Sequence, residues 1–76
     1  GRADLVVNTD NRRIVFEFKY AENETEAKSK LHDAVEQIKT RDYGNILPKK
    51  HELLRIAAVF NADPKVRAFT ENQIVP

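Results

Sequence analysis

The chain has 76 residues, with 13 Lys and Arg against 12 Asp and Glu, so its formal net charge is +1. Cysteine, methionine and tryptophan are absent, which excludes a disulfide framework and a thiolate zinc site. The near-zero charge excludes a strongly basic module of the histone type and leaves room for a local basic patch.

In chain order, Leu5-Val6-Val7 is a short apolar run that ends at Asn8-Thr9-Asp10-Asn11. Asn and Asp tolerate left-handed backbone, so this cluster is turn chemistry. The next run, Arg13 through Tyr20, is β-branched and aromatic and predicts a strand that pairs with the first as a hairpin. Asn23 or Thr25 is placed to cap a helix, and Glu24 and Glu26 suit its positive N-terminal end. Ala27, Leu31, Ala34, Val35 and Ile38 follow at helical spacing, and Tyr43-Gly44 is the expected end. A further strand is predicted over 53–60, centred on Ile56 to Phe60, and its continuous apolar character predicts cover on both faces. Asn61-Ala62-Asp63-Pro64 ends it; residues 65–69 read as a short helical turn and the tail as irregular. The order strand, strand, helix, strand predicts an α/β fold: a small mixed sheet with one long helix on a face. No repeat or linker divides the chain, so residues 1–76 are read as one domain.

The hairpin supports a geometric argument. With the turn centred on Asp10-Asn11, Asn8 faces Arg13, Val6 faces Val15 and Asp4 faces Glu17. Lys19, two places beyond Glu17, points to the same side. The opposite side carries Leu5, Val7, Ile14, Phe16 and Phe18 and reads as the core face. One end of the hairpin thus gathers two carboxylates and an amine. Facing carboxylates repel unless a cation sits between them, and oxygen ligands suit Mg²⁺, Mn²⁺ or Ca²⁺. From spacing alone, a solvated face on which Lys19 pairs with Glu17 and Asp4 is the commoner arrangement.

Gly1-Arg2-Ala3-Asp4-Leu5-Val6-Val7, then Val15-Phe16-Glu17-Phe18-Lys19, resembles the motif core of the PD-(D/E)xK nuclease superfamily, in which an Asp opens one strand and Glu-x-Lys lies on the next. The chain is most similar to a bacterial group of nuclease-like domains found behind an AAA-type ATPase module. The likeness continues through Ala34-Val35-Glu36-Gln37-Ile38, Tyr43 and Ile56 to Phe60. The resemblance implies a partial restriction-endonuclease-like core and a metal-dependent hydrolase of nucleic-acid phosphodiesters, DNA before RNA. Asp4 and Glu17 would be ligands of Mg²⁺ or Mn²⁺, with the Phe18 carbonyl as a further ligand. Lys19 would orient the attacking water, and Gln37 matches a helix glutamine that approaches the site in RecB-like members. Those members carry a Tyr four residues after that Gln, whereas Tyr43 is six residues later, so packing is an equal reading of Tyr43. A solvated helix position is an equal reading of Gln37.

The family core begins with a helix and a strand before the Asp, and that helix often brings another acidic ligand. The chain is therefore expected to be an N-terminally incomplete core, inactive as an isolated fragment. Its length agrees, because below ~70–80 residues one core rarely supplies more than a few kcal/mol. Expected partners are nucleic acid, an ATPase domain in the parent chain and a second copy completing the sheet. The rival reading is a non-catalytic binding or assembly module on a nuclease-derived fold. No apolar run approaches the ~20 residues of a membrane span, and Gly1-Arg2-Ala3-Asp4 has no signal-peptide pattern, so no membrane role and a cytoplasmic home are expected. His32, His51, the Lys49-Lys50 pair, Arg2, Arg12 and Arg13 are weaker candidates, read first as solvated surface.

Overall fold

The computed structural model describes residues 3–41 and 52–76. Tyr43, Gly44, Lys49, Lys50, His51 and Arg2, each singled out in the sequence, lie outside them. The elements are β1 (Leu5–Asn8), β2 (Arg12–Ala21), α1 (Glu24–Arg41), β3 (Glu52–Asn61) and β4 (Ala68–Val75). They form a sheet of order β1-β2-β3-β4. β1 runs antiparallel to β2, β2 parallel to β3, and β3 antiparallel to β4. The helix makes the crossover that two parallel neighbours require. None of the described helices is long and apolar enough to cross a membrane.

The hairpin turn is held by Thr9, whose Oγ1 accepts from the Arg12 amide at 3.1 Å while its own amide donates to the Arg12 carbonyl at 2.9 Å. Asn8 pairs with Arg13 and Val6 with Val15, the register that the turn residues predict. Asn23 caps α1: its Oδ1 accepts from the Glu26 amide at 2.8 Å. Acidic Glu24 and Glu26 in the first turn and basic Lys39 and Arg41 in the last complement the helix dipole. Asn23→Ala leaves that amide without its acceptor. It is expected to cost about 1 kcal/mol, visible as a lower urea midpoint with an unchanged slope.

The core lies on a different face of the sheet from the one the sequence predicts. α1 packs Ala34, Val35 and Ile38 against Val15, Ala57 and Val75, and Ala27 against Ala21 and Val59. This is the side of β2 that also carries Glu17 and Lys19. The reason is size. Ala21, Ala57, Ala27 and Ala34 leave no side chain to hold the helix off, so it can approach the sheet closely, while the bulky aromatics occupy the other side. There Phe16 stacks on Phe18, Phe18 meets Phe69, and Phe69 meets Phe60 with ring centroids 5.3–5.7 Å apart. That side has no helix on it among the described residues, and Tyr20, Phe69 and Ile74 are 63%, 56% and 62% exposed. Leu5 and Val7, expected in the core, are exposed as well. β3 is consequently covered by the helix on one face, not on both.

The tail corrects a second expectation. Residues 64–66 form the turn, with the Asp63 carbonyl accepting from the Val66 and Arg67 amides. Arg67 takes a left-handed conformation with φ of 48°, and β4 then completes the sheet instead of trailing off. A register shift at Val59/Phe60 takes β4 from Glu71, opposite Val59, to Phe69, opposite Phe60, so Thr70 has no partner across the ladder.

Candidate functional site

The site stands where β1 begins. Even-numbered residues of β2 direct their backbone toward β1, as the Asp4 amide donating to the Phe16 carbonyl at 3.2 Å shows. The next rung would use Phe18. Its amide instead donates to Asp4 Oδ2 at 2.9 Å. The Asp4 carboxylate thus replaces a strand carbonyl, which fixes it against β2 at the sheet edge. By strand alternation the Phe18 carbonyl turns toward the same edge.

Glu17 points from β2 toward the helix and is 3% exposed. Its Oε1 lies 3.6 Å from Lys19 Nζ. Its Oε2 is buried with no hydrogen-bond partner. Burial pushes the Glu17 carboxyl above its ordinary value, and the nearby Asp4 carboxylate pushes it further; Lys19 and then Arg41 act in the opposite direction. Lys19 Nζ also donates to Gln37 Oε1 at 2.7 Å across to α1. The amine is therefore clamped between a carboxylate on its own strand and an amide on the helix. An ammonium has three donors: one is given to Gln37, and the Glu17 carboxylate at 3.6 Å is an ion-pair contact, so donor capacity remains for a further acceptor.

The structure places Asp4 on the Phe18 amide, Glu17 beside Lys19, and Lys19 against Gln37, so these side chains lie around one end of β2. The solvated-face alternative does not hold for Glu17, which is buried. Arg41 is the residue that sequence reading passed over. Its signal was its place on α1, four residues beyond Gln37, where both side chains ride on one face. His32 is exposed on α1, and Arg12 pairs with Glu52 at 3.5 Å on the surface.

The donor set fits a hard divalent cation. Lys19 and Arg41 offset the carboxylates only in part, since the Glu17 carboxyl still lies above its ordinary value, and its buried Oε2 has no hydrogen-bond partner to compete with a cation. Among the described residues no group of three or more His, Cys, Asp or Glu gathers.

A family model of the PD-(D/E)XK nuclease superfamily matches residues 1–70. No curated protein and no solved structure matches the chain. The matched span takes in the hairpin, the helix, β3 and the first residues of β4, and so every member of the cluster just described. With nearly its whole length matched, the chain belongs to the PD-(D/E)XK nuclease superfamily.

Proposed function

We propose that this domain is the catalytic core of a metal-dependent nuclease that hydrolyses nucleic-acid phosphodiester bonds, DNA in preference to RNA. The observation that carries the reading is the clamped Lys19, 3.6 Å from the buried Glu17 and 2.7 Å from Gln37, next in the strand to Phe18, whose amide holds the Asp4 carboxylate at 2.9 Å. Asp4, Glu17 and the Phe18 carbonyl would hold Mg²⁺ or Mn²⁺, which when bound would offset phosphate charge and make a bound water more acidic. Lys19 uses a proton not given to Gln37 to orient the attacking water. Gln37 holds the amine so that it does not collapse fully onto Glu17. Glu17 is 3% exposed, which limits solvent competition for its oxygens. An ATPase module in the parent chain and a cytoplasmic, bacterial setting belong to the same proposal.

Titration of the intact protein with Mn²⁺ or Mg²⁺ by calorimetry, alongside nicking of plasmid DNA, tests it. The expected result is cation binding that Asp4→Ala weakens at least about tenfold, with nicking that EDTA abolishes. Cation binding and nicking that are unchanged in Asp4→Ala would overturn the reading.

The assembly reading has one observation in its favour: the open aromatic face, with Tyr20, Phe69 and Ile74 more than half exposed. A contiguous apolar patch of that kind marks a contact surface. A second copy stacked there would double the mass in sedimentation equilibrium. A monomer that nicks DNA removes assembly as the primary function.

A further inference from the structure

α1 presents a second cation to the cluster. Gln37 touches Lys19 at 2.7 Å, so this face of the helix looks onto β2 at the site. Arg41 follows one turn later, and i,i+4 neighbours sit about 5–6 Å apart at Cβ on the same face. Its guanidinium also acts on the Glu17 carboxyl, in the direction opposite to burial. The surroundings of the two cations differ. Lys19 is part-buried and held between Glu17 and Gln37. Arg41 belongs to the last turn of the helix and is exposed. It therefore stands at the rim, where a polyanion can reach it without entering the packed layer between helix and sheet.

We infer that Arg41 is a phosphate-binding residue of this domain, contacting a backbone phosphate of the nucleic acid beside the Asp4–Glu17–Lys19 cluster. The assignment rests on the nuclease reading and adds to it the group that seats the substrate. The chemistry suits the position. A guanidinium is planar, always charged and offers paired N–H donors that match two phosphate oxygens. A carboxylate cluster repels a nucleic-acid backbone, and a rim cation offsets that repulsion before any cation is bound. The last turn of a helix also favours a positive side chain for its own stability, so the test must separate stability from binding.

The experiment measures anisotropy of a labelled DNA duplex with the intact protein in EDTA, over salt from about 50 to about 200 mM, with thermal melts of each variant. Arg41→Gln keeps helix propensity and removes the charge. It is expected to lower the slope of log K against log salt by about 0.9, the share of one phosphate contact on a duplex. Arg41→Lys keeps the charge and is expected to keep the slope. Lys28→Ala, at the other end of α1 and paired with Glu24, is expected to leave it unchanged. An Arg41→Gln variant that is folded and binds with the wild-type slope overturns the inference alone. Wild-type protein that binds no duplex at low salt overturns it together with the nuclease reading. A slope lowered equally by Arg41→Gln and Lys28→Ala also overturns it, because the effect would then be general charge.

Discussion

Lys19→Ala is expected to lower DNA cleavage by the cation-loaded protein about 10²–10³-fold, the range typical of losing one preorganised charged or hydrogen-bonding group at a reacting centre. The ammonium is poorly replaced by solvent, because Glu17 beside it is buried and α1 covers that side of β2. Water entering the gap would meet the same two acceptors but bring no positive charge, whereas the Lys19 ammonium is tied to Glu17 at 3.6 Å and to Gln37 at 2.7 Å. Cation binding should survive the substitution, since the proposed ligands are Asp4, Glu17 and backbone. That split between binding and turnover distinguishes an orienting amine from a mere counter-charge. Gln37→Ala should cost less, about tenfold, because it loosens the amine without removing it. The two losses should not add: with Lys19 already absent, Gln37 has nothing to hold. Cleavage by Lys19→Ala at the wild-type rate would remove Lys19 from the mechanism.

The hairpin was legible in the sequence for a local reason. Asn8, Thr9, Asp10 and Asn11 leave the turn little choice, and once the turn is placed every cross-strand pair follows. Asp4 lies just before that ladder, and its carboxylate is held by the Phe18 amide instead of by a strand pair. The choice of core face was not legible. Strand alternation shows two faces of β2 but not which one receives the helix. Counting apolar residues favours the Phe16–Phe18 side, yet close helix packing was decided by small residues far apart in the chain, Ala21 and Ala57 on the sheet with Ala27 and Ala34 on α1. The consequence for function is large, because it buries Glu17 and brings Gln37 and Arg41 to the site.

β4 was hidden by its own irregularity. Thr70, Glu71, Asn72 and Gln73 form a polar stretch, and Phe69 and Ile74 are separated by an odd number of steps although they share the open face. The register shift at Val59/Phe60 absorbs the extra residue. A period-two pattern interrupted in this way reads as loop. Partners from the rest of the sheet turn it into a strand: Ile74 opposite Ile56 and Phe69 opposite Phe60.

Glu17→Gln is expected to have opposite effects on stability without and with a divalent cation. In EDTA at neutral pH the substitution should stabilise the fold by about 1 kcal/mol, because it removes a buried charge with an unsatisfied oxygen. For a domain of this size that corresponds to ~4–8 °C in Tm. The pH dependence follows from the direction of the shift. The Glu17 carboxyl titrates above its ordinary value of 4.5 in the folded chain, so the folded state binds more protons than the unfolded one. Its contribution to stability is fully present below the ordinary value and is lost as pH rises through the raised one. Lys19 and Arg41 temper this loss without reversing its sign. Gln carries no titrating proton, so this part of the slope should vanish in the variant. Saturating Mn²⁺ should reverse the ranking. Binding to the folded state alone adds about 2.7 kcal/mol at a hundred times Kd, and the wild type should gain it while Glu17→Gln gains little. The two melting temperatures should therefore cross as cation is added. Parallel responses of the two proteins to cation would show that Glu17 is not a ligand, and a metal-free variant no more stable than wild type would show that its buried charge carries no net cost.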